Sequence, residues 1–349
     1  MSALPACPAT VHDPEGTPRF GTFEGGLASL SLESLRGRHQ LGRVGKLRSH
    51  KKWLYTFVAT PQVAVLMAVV DLNYTSNAFV MAVDLGSKQV LVDESFLGPP
   101  RPLTRVNDLP NEGLDVWFRR PGADFSAQRS SGDQRYHLRA RLGPPVPLAR
   151  PTFSLDAALL TARASPALTV IAPVDGGIVN VTQKWAGLLS FGQLEANGRR
   201  YMLDGGVGGL DSTHGYLARE TAWRWAFACG RLRDGTPIGI NLVEGFNETR
   251  DDVSENAVWL GTELYPVGRA RFEWNKSDLL DRWHVTTTDG ALDLHFTPIA
   301  VHREERDLKL VASHFAQPLG LWHGTVTLNG VTHEIHDVPG VTEDQAVRW

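Results

Sequence analysis

The sequence predicts an all-β protein made of two tandem β-domains with few short helices. Three observations carry that expectation. Its 349 residues amount to about two ordinary domains. Aromatic and apolar residues recur at alternate positions, which is strand spacing, and no long stretch holds a 3.6-residue period. Short motifs also recur in one order along the chain. Composition agrees: 34 glycines and 10 tryptophans favour tight turns and aromatic interiors. With 42% hydrophobic residues the chain can build a core, so a disordered protein is excluded.

The elements follow in order. Residues 1–47, rich in Gly, Pro and Ser, read as a partly irregular arm. Trp53, Tyr55 and Phe57 alternate as on a strand. The apolar run Val63 to Val70 follows, then Ala78 to Val83, the turn Asp84 to Lys88 and a returning strand from Gln89 to Val92. Phe125 to Gln128 and Tyr136 to Leu142 flank the turn Ser130 to Asp133 as a second hairpin. Leu155 to Arg163, rich in Ala and Leu, is the best short helix. Ser277 to Leu280 reads as one helical turn. The stretch 143–176, with Pro144, Pro145, Pro147, Pro151, Pro166 and Pro173, is open to reading as an interdomain linker, but reads rather as an insertion or crossover inside the first domain.

Four echoes support an internal repeat. Trp53-x-Tyr55-x-Phe57 matches Trp223-x-Trp225-x-Phe227, and Asn77-Ala78 matches Asn256-Ala257. Leu114-Asp115-x-x-Phe118 matches Leu292-Asp293-x-x-Phe296. Gly192-x-Leu194-x-x-Asn197-Gly198 matches Gly324-x-Val326-x-x-Asn329-Gly330. The expected division is an arm over 1–47, a first barrel over 48–209 with an insertion near 119–176, and a second barrel over 210–349. The join falls in the Gly-rich run Gly205 to Gly209.

Several function classes are excluded. A net charge of -3 offers no basic surface for nucleic acid or anionic membranes. The two cysteines, Cys7 and Cys229, support neither a disulfide scaffold nor a Cys-based zinc site. Met1 to Thr10 lacks the basic and apolar regions of a signal peptide. Val63 to Val70 is far shorter than the about 20 residues a membrane helix needs. A soluble, reduced, cytoplasmic protein is expected. Gly205-Gly206-x-Gly208-Gly209 lacks the Lys-Ser/Thr of a phosphate loop, and no Gly-x-Ser-x-Gly elbow is present.

The candidate chemistry centres on Asp211, His214, Tyr216, Arg219 and Glu220, a dense polar cluster just before the Trp223-x-Trp225 strand. A histidine near a carboxylate can serve as a general acid close to neutral pH, and a desolvated carboxyl can hold a proton in an apolar cavity. Asp211, His214 and Glu220 are the catalytic candidates. The same groups can equally hold each other and the backbone in place. Trp223 and Trp225 share one strand face, with Arg224 on the other, and either fill a barrel core or line a cavity. Trp349, at the chain end, is expected to lie away from them. Asn241 opens an acidic stretch running to Asn256 that reads as a solvated loop rather than a calcium site. His314, His323, His333 and His336 lack a metal-binding order, so neither metal nor cofactor is expected.

One block is specific: Arg219-x-Thr221-x-Trp223-x-Trp225-Ala226, followed by Gly239-Ile240-Asn241-Leu242. With Lys52-Trp53-x-Tyr55, Thr182-Gln183-Lys184, Glu255-Asn256-Ala257-x-Trp259, Phe296-x-Pro298 and Gln317-Pro318-x-Gly320, it resembles an uncharacterised bacterial family, domain of unknown function 2804. The marks run from Lys51 to Trp349; the arm lacks the Gly-Trp-Ser-Arg-like element of that family. The family is more distantly similar to lipocalin-like two-barrel proteins, which include carotenoid 1,2-hydratases and fungal Diels–Alderases. In the hydratase-like group an Asp-His pair precedes a Gly-Trp-x-Trp strand. Asp211-x-x-His214-Gly215 is a looser version, which implies that Asp211 and His214 face the cavity.

The resemblance turns the two β-domains into two lipocalin-like (calycin-type) barrels. It implies binding of a hydrophobic small molecule, lipid- or isoprenoid-like, in a barrel or interdomain cavity. His214, Tyr216, Arg219, Trp223, Trp225 and Asn241 are the expected ligand contacts. The alternatives are a cofactor-free hydratase, isomerase or cyclase using Asp211 or His214 as acid, and a non-catalytic interaction protein with two solid cores.

Overall fold

A computed structural model describes residues 4–99, 101–144, 151–307 and 312–349. The chain is 61% strand and 3% helix. It opens with β1 (Gly21–Glu24) and α1 (Arg43–Ser49), the one α-helix among the described residues. A four-strand meander follows: β2 (His50–Ala59), β3 (Val63–Asp71), β4 (Ser76–Asp84) and β5 (Gln89–Gly98). Next come β6 (Thr104–Val106), β7 (Leu114–Arg120), β8 (Ala123–Arg129), β9 (Arg135–Leu142), β10 (Phe153–Leu160), β11 (Leu168–Pro173), β12 (Val179–Ala196), β13 (Arg199–Met202) and β14 (Val207–Tyr216). The second half holds β15 (Glu220–Arg231), β16 (Pro237–Glu244), β17 (Ala257–Leu260), β18 (Glu263–Pro266) and β19 (Ala270–Glu273). It closes with β20 (Trp283–Thr287), β21 (Leu292–Asp307), β22 (Ala312–Leu328) and β23 (Val331–Arg348).

These strands form two antiparallel sheets. The first runs β5-β4-β3-β2-β14-β12-β10-β9-β8-β7-β6, the second β18-β17-β16-β15-β23-β22-β21-β20-β19. In each, the first strand of a four-strand meander pairs with the last strand of the meander that follows. Each sheet curls: β6 packs over β2 and β3, and β19 over β16. Thr104 Oγ1 on β6 reaches Ser76 Oγ on β4 at 2.7 Å. The chain crosses between sheets at Leu217 to Arg219, so β14, with Asp211, His214 and Tyr216, is the closing strand of the first sheet rather than the opening of the second.

Alternation explains the packing. Leu54, Val58, Val65 and Met67 point into the first barrel, whose interior is solid with Phe118, Phe125, Leu138 and Leu155. Tyr55, Phe57, Ala64 and Leu66 point outward and are buried against the second barrel. The apolar run of β3 is thus a strand covered on both faces. The second barrel is filled by Ala226, Leu242, Trp283, Phe296 and Trp322. The arm supplies Val11, Leu27, Leu30, Leu32 and Leu35, which pack on Ile171, Val179, Val181 and Tyr216 of the first barrel.

Two local readings are corrected. Leu155 to Arg163 is no helix: residues Phe153–Leu160 are β10, with Leu155, Ala157 and Leu159 facing in at period two. Pairing with β9 on one side and β12 on the other overrides the Ala-Leu helix preference. Around Ser277 to Leu280 the chain makes simple turns, with Asp278 N–H to Asn275 O and Asp281 N–H to Asp278 O. The stretch 119–176 holds β8 to β11, integral strands of the first sheet; Pro145 and Pro147 lie outside the described residues.

The two sheets repeat one topology, with one echo replaced and one out of register. Asn77 sits opposite Val70 in the row of Trp53, whereas Ala257 sits opposite Asn241 in the row of Phe227, so Asn256-Ala257 is not the counterpart of Asn77-Ala78. Gly192 (φ 112°) and Gly324 (φ 132°) bend equivalent strands, β12 and β22. A Cβ on Gly192 would lie 2.2 Å from the carbonyl oxygen of Asp156, and one on Gly324 2.1 Å from that of Asp293. Leu155-Asp156, not Leu114-Asp115, is therefore the partner of Leu292-Asp293, because β21 neighbours β22 as β10 neighbours β12. Gly192→Ala and Gly324→Ala should each destabilise the protein by more than about 1 kcal/mol, read as a fall in denaturation midpoint. A surface control such as Gly235→Ala does not probe this contact, since nothing lies within 4 Å of its Cβ position.

Candidate functional site

The repeat places its matching aromatics against each other. Trp53 stacks on Trp223 at 6.3 Å, Tyr55 meets Trp225 edge-on at 4.9 Å, and Phe57 meets Phe227 edge-on at 6.4 Å. These side chains leave the outer face of one barrel and meet the outer face of the other. The period-two aromatics therefore fill neither barrel; they build the junction between them. Arg224 points the other way, with its guanidinium 5.1 Å from the Trp274 ring.

The packing leaves a cavity of about 380 Å³ between the barrels. Its walls are Trp53, Tyr55, Val70, Phe79, Trp223, Trp225, Phe246 and Phe315, and Trp349 closes one side. Trp349 is thus part of the cavity wall rather than remote from it; its indole Nε1 donates to Thr221 Oγ1 at 3.1 Å.

The floor is polar and buried. Lys184 Nζ lies 2.7 Å from Asp211 Oδ2 and 2.9 Å from Glu255 Oε2, all three residues being buried. Thr182 and Thr213 each donate to Asp211 Oδ1 at 2.9 Å, and Asn247 Nδ2 donates to Glu255 Oε1 at 2.9 Å. Burial works against the Lys184 cation, yet the two carboxylates outweigh it and raise its pKa. Burial likewise raises the Glu255 pKa.

Glu343 differs. It is buried and accepts Trp223 Nε1 and Gln317 Nε2, each at 2.7 Å, with no cation within 4.0 Å among the described residues. Burial pushes its carboxyl up to about 7 against these two N–H donors. The folded state therefore holds a proton here that the unfolded chain releases near 4.5. Stability from this group is full below 4.5 and is lost as pH rises through 7, by about 3 kcal/mol in all. Unfolding titrations from pH 5 to 6.5, below the range where His302 adds a slope of its own, should show this downward slope in the parent measured against Glu343→Gln, in which it is lost.

At the far end Glu304 accepts both Asn77 Nδ2 contacts at 3.1 Å and pairs with Arg306 at 3.1 Å. His302 Nδ1 sits 2.5 Å from Asp93 Oδ1 and stacks on Phe79. Burial opposes the His302 cation, but Asp93 and Glu304 outweigh it and lift its pKa to about 9.

The residues singled out from sequence separate. Trp223, Trp225 and Asp211 line the cavity. Asn241 lies behind the wall, accepting Trp225 Nε1 at 2.7 Å and donating to Glu255 O at 2.7 Å. His214 and Tyr216 face the opposite side of β14. His214 Nε2 lies 3.1 Å from Asn107 O, and burial holds its pKa near 3. Tyr216 donates to Leu32 O in the arm. Arg219 donates to Trp349 O at 3.1 Å, and Glu220 is exposed. A second hollow of about 590 Å³ opens at the mouth of the first barrel, lined among others by His50, Lys52, Asp71, Arg105 and His214.

Lys184, Glu255, Glu343 and Tyr55 were not identified as a site from the sequence. Lys184 is visible in the sequence only as a family mark. Glu255 is also part of the acidic stretch Asn241 to Asn256, whose reading as a solvated loop is corrected by the burial of Asn241, Asn247, Glu255 and Asn256 and by the Lys184–Glu255 ion pair. The signal for Glu343 was its place in the repeat: Asp211 pairs with Tyr55 across β14 and β2, and Glu343 pairs with Trp225 across β23 and β15.

For metals, His284, Asp293 and His295 on the outer face of the second barrel bring ligand atoms within 4.8 Å of one another. His314, His323 and His336 instead each pair with a carboxylate: Glu305, Asp337 and Glu334. No helix among the described residues is long and apolar enough to cross a membrane.

Two curled antiparallel sheets of matching topology, packed through their outer aromatic faces, define a lipocalin-like two-barrel protein. The chain belongs to the family described as Domain of unknown function (DUF2804), whose model matches residues 5–349. Two solved structures share the fold. Kievitone hydratase from Nectria haematococca is 12% identical, with 96% of this chain and 97% of that one covered and a TM-score of 0.52. CghA with Sch210972 is 9% identical, with 98% and 97% covered and a TM-score of 0.53. No functionally curated protein matches the chain in sequence.

Proposed function

We propose that the protein binds a hydrophobic small molecule in the cavity between its two barrels. The carrying observation is a chamber of about 380 Å³ with aromatic walls and buried polar atoms at its floor, the usual make-up of a small-molecule site. Trp53, Tyr55, Trp223 and Trp225 hold the apolar body; the polar end lies toward the floor. Among the described residues, clusters of buried apolar side chains occupy both barrels, which favours the junction over a calyx site. The test is titration with the neutral apolar fluorophore N-phenyl-1-naphthylamine, together with mass spectrometry of an organic extract of the purified protein. One saturable equivalent is expected; no saturable binding and an empty extract overturn the reading.

A second reading is favoured by one observation, the Glu343 carboxyl raised to about 7 inside an apolar chamber. Such a group can hand a proton to an alkene or enol without a cofactor. Glu343 takes this role more readily than Asp211, which is ion-paired to Lys184, or His214, which faces away. For any ligand recovered from the protein, Glu343→Gln should abolish turnover while leaving binding; unchanged turnover removes this reading.

A further inference from the structure

We propose that the cavity selects amphiphilic organic cations, with the ammonium or guanidinium group seated against Glu343 and the apolar body between the aromatic walls. The inference rests on the cavity being the ligand site and names the class of ligand.

The internal repeat supplies the argument. Asp211 and Glu343 are equivalent: each stands on the closing strand of its sheet, opposite Tyr55 and Trp225 respectively. Each carboxylate accepts the indole N–H of the equivalent tryptophan, Trp53 at 3.4 Å and Trp223 at 2.7 Å. The residue beside Asp211 on the neighbouring strand β12 is Lys184, 2.7 Å away. Beside Glu343 on the equivalent strand β22 is Gln317, also at 2.7 Å. One half of the pseudo-symmetric pair has its cation built in, and the other has a neutral amide in its place.

The floor therefore holds three carboxyl groups, Asp211, Glu255 and Glu343, around the single ammonium of Lys184. Burying an excess carboxylate is costly unless a cation or a proton neutralises it. The orphaned atoms point the same way. Asn180 Oδ1 and Gln345 Oε1 line the cavity as buried acceptors with no partner among the described residues. The buried hydroxyl of Tyr55, a residue 4% exposed, is also without a partner among the described residues. A cation rich in N–H groups meets these acceptors. The walls also suit a cation: the Lys184 ammonium already lies 5.4 Å from the Trp225 ring centroid, and aromatic faces attract organic ammonium groups.

The charged and titratable groups around Glu343 are Lys184 on β12, Asp211 on β14 and Tyr55 on β2, with Glu255 paired to Lys184 and with Glu304 and Arg306 on β21 lining the far end of the same chamber. Burial keeps the Tyr55 phenol neutral, its pKa well above 10. With Glu343 protonated below pH 7, a cation must displace that proton to bind.

The experiment compares three probes of one shape by calorimetry: 2-(1-naphthyl)ethylamine, 2-(1-naphthyl)ethanol and 1-naphthylacetate. At pH 8 the amine should bind at least about tenfold more tightly than the alcohol, and the carboxylate weakest. Between pH 7 and 5.5 the amine should lose about tenfold per unit, and the alcohol should not change. Glu343→Gln should bring amine and alcohol together. Gln317→Lys, which supplies the missing ammonium within the chain, should do the same. Equal binding of amine and alcohol by the parent at pH 8 overturns the inference and leaves the cavity as the ligand site. Binding of none of the three overturns both. If either variant fails to fold, the pH series on the parent decides alone.

Discussion

Trp223→Ala and Trp225→Ala should each weaken binding of N-phenyl-1-naphthylamine by about one to two orders of magnitude, while Trp117→Ala on β7 leaves it unchanged. The two indoles form one wall of the chamber, and Trp117 does not touch it. Removing a ring-sized apolar contact at about 25 cal/mol per Å² forfeits a few kcal/mol, and about 1.4 kcal/mol is a decade in affinity. Trp225 is buried and hydrogen-bonded to Asn241, whereas Trp223 is half-buried. Trp225→Ala will therefore cost more stability, and melting temperatures must be read beside the affinities. Two folded variants that bind like the parent would place the ligand elsewhere.

Lys184→Met should cost about 3–5 kcal/mol in denaturant unfolding at pH 7, the largest stability effect expected of a single polar substitution here. The methionine keeps the volume and the contact with Trp225 but strands Asp211 and Glu255 without their shared cation. Breaking one partner of a buried ion pair leaves an uncompensated charge, which is what makes the loss large. Adding Asp211→Asn and Glu255→Gln to Lys184→Met should recover a substantial part of it. A loss below about 1 kcal/mol would mean that the cluster is hydrated, and the dry polar floor described above would be wrong.

The fold was legible in the sequence because its strands announce themselves by alternation and by Asn-Gly turns. Asn197-Gly198 and Asn329-Gly330 both adopt positive φ at equivalent hairpins. Alternation fixes which residues share a face but not which face looks into the barrel. On β2 both sets, Leu54 with Val58 and Tyr55 with Phe57, are apolar, since one packs inside and the other on the second barrel. That ambiguity left the aromatic ladder open between core and cavity. Leu155 to Leu160 was misread because its composition suits a helix and its partners lie far along the chain.

The site was legible only in part, for a related reason. The cluster Asp211 to Glu220 is dense in sequence, but a strand sends Asp211 and His214 to opposite faces, and Glu220 begins the other sheet. Lys184, Glu255 and Glu343 come from three distant strands or loops and meet only when the barrels dock. No local pattern announces such a floor; the repeat alone links Glu343 to Asp211.

The most direct test of an inter-barrel ligand site is the affinity of N-phenyl-1-naphthylamine for Val70→Trp. Val70 lines the cavity without being fully buried, so an indole there fills the chamber rather than either barrel core. The prediction is a variant with the parent melting temperature and at least about tenfold weaker binding. A variant that folds as the parent does and binds the probe with undiminished affinity and stoichiometry would contradict it.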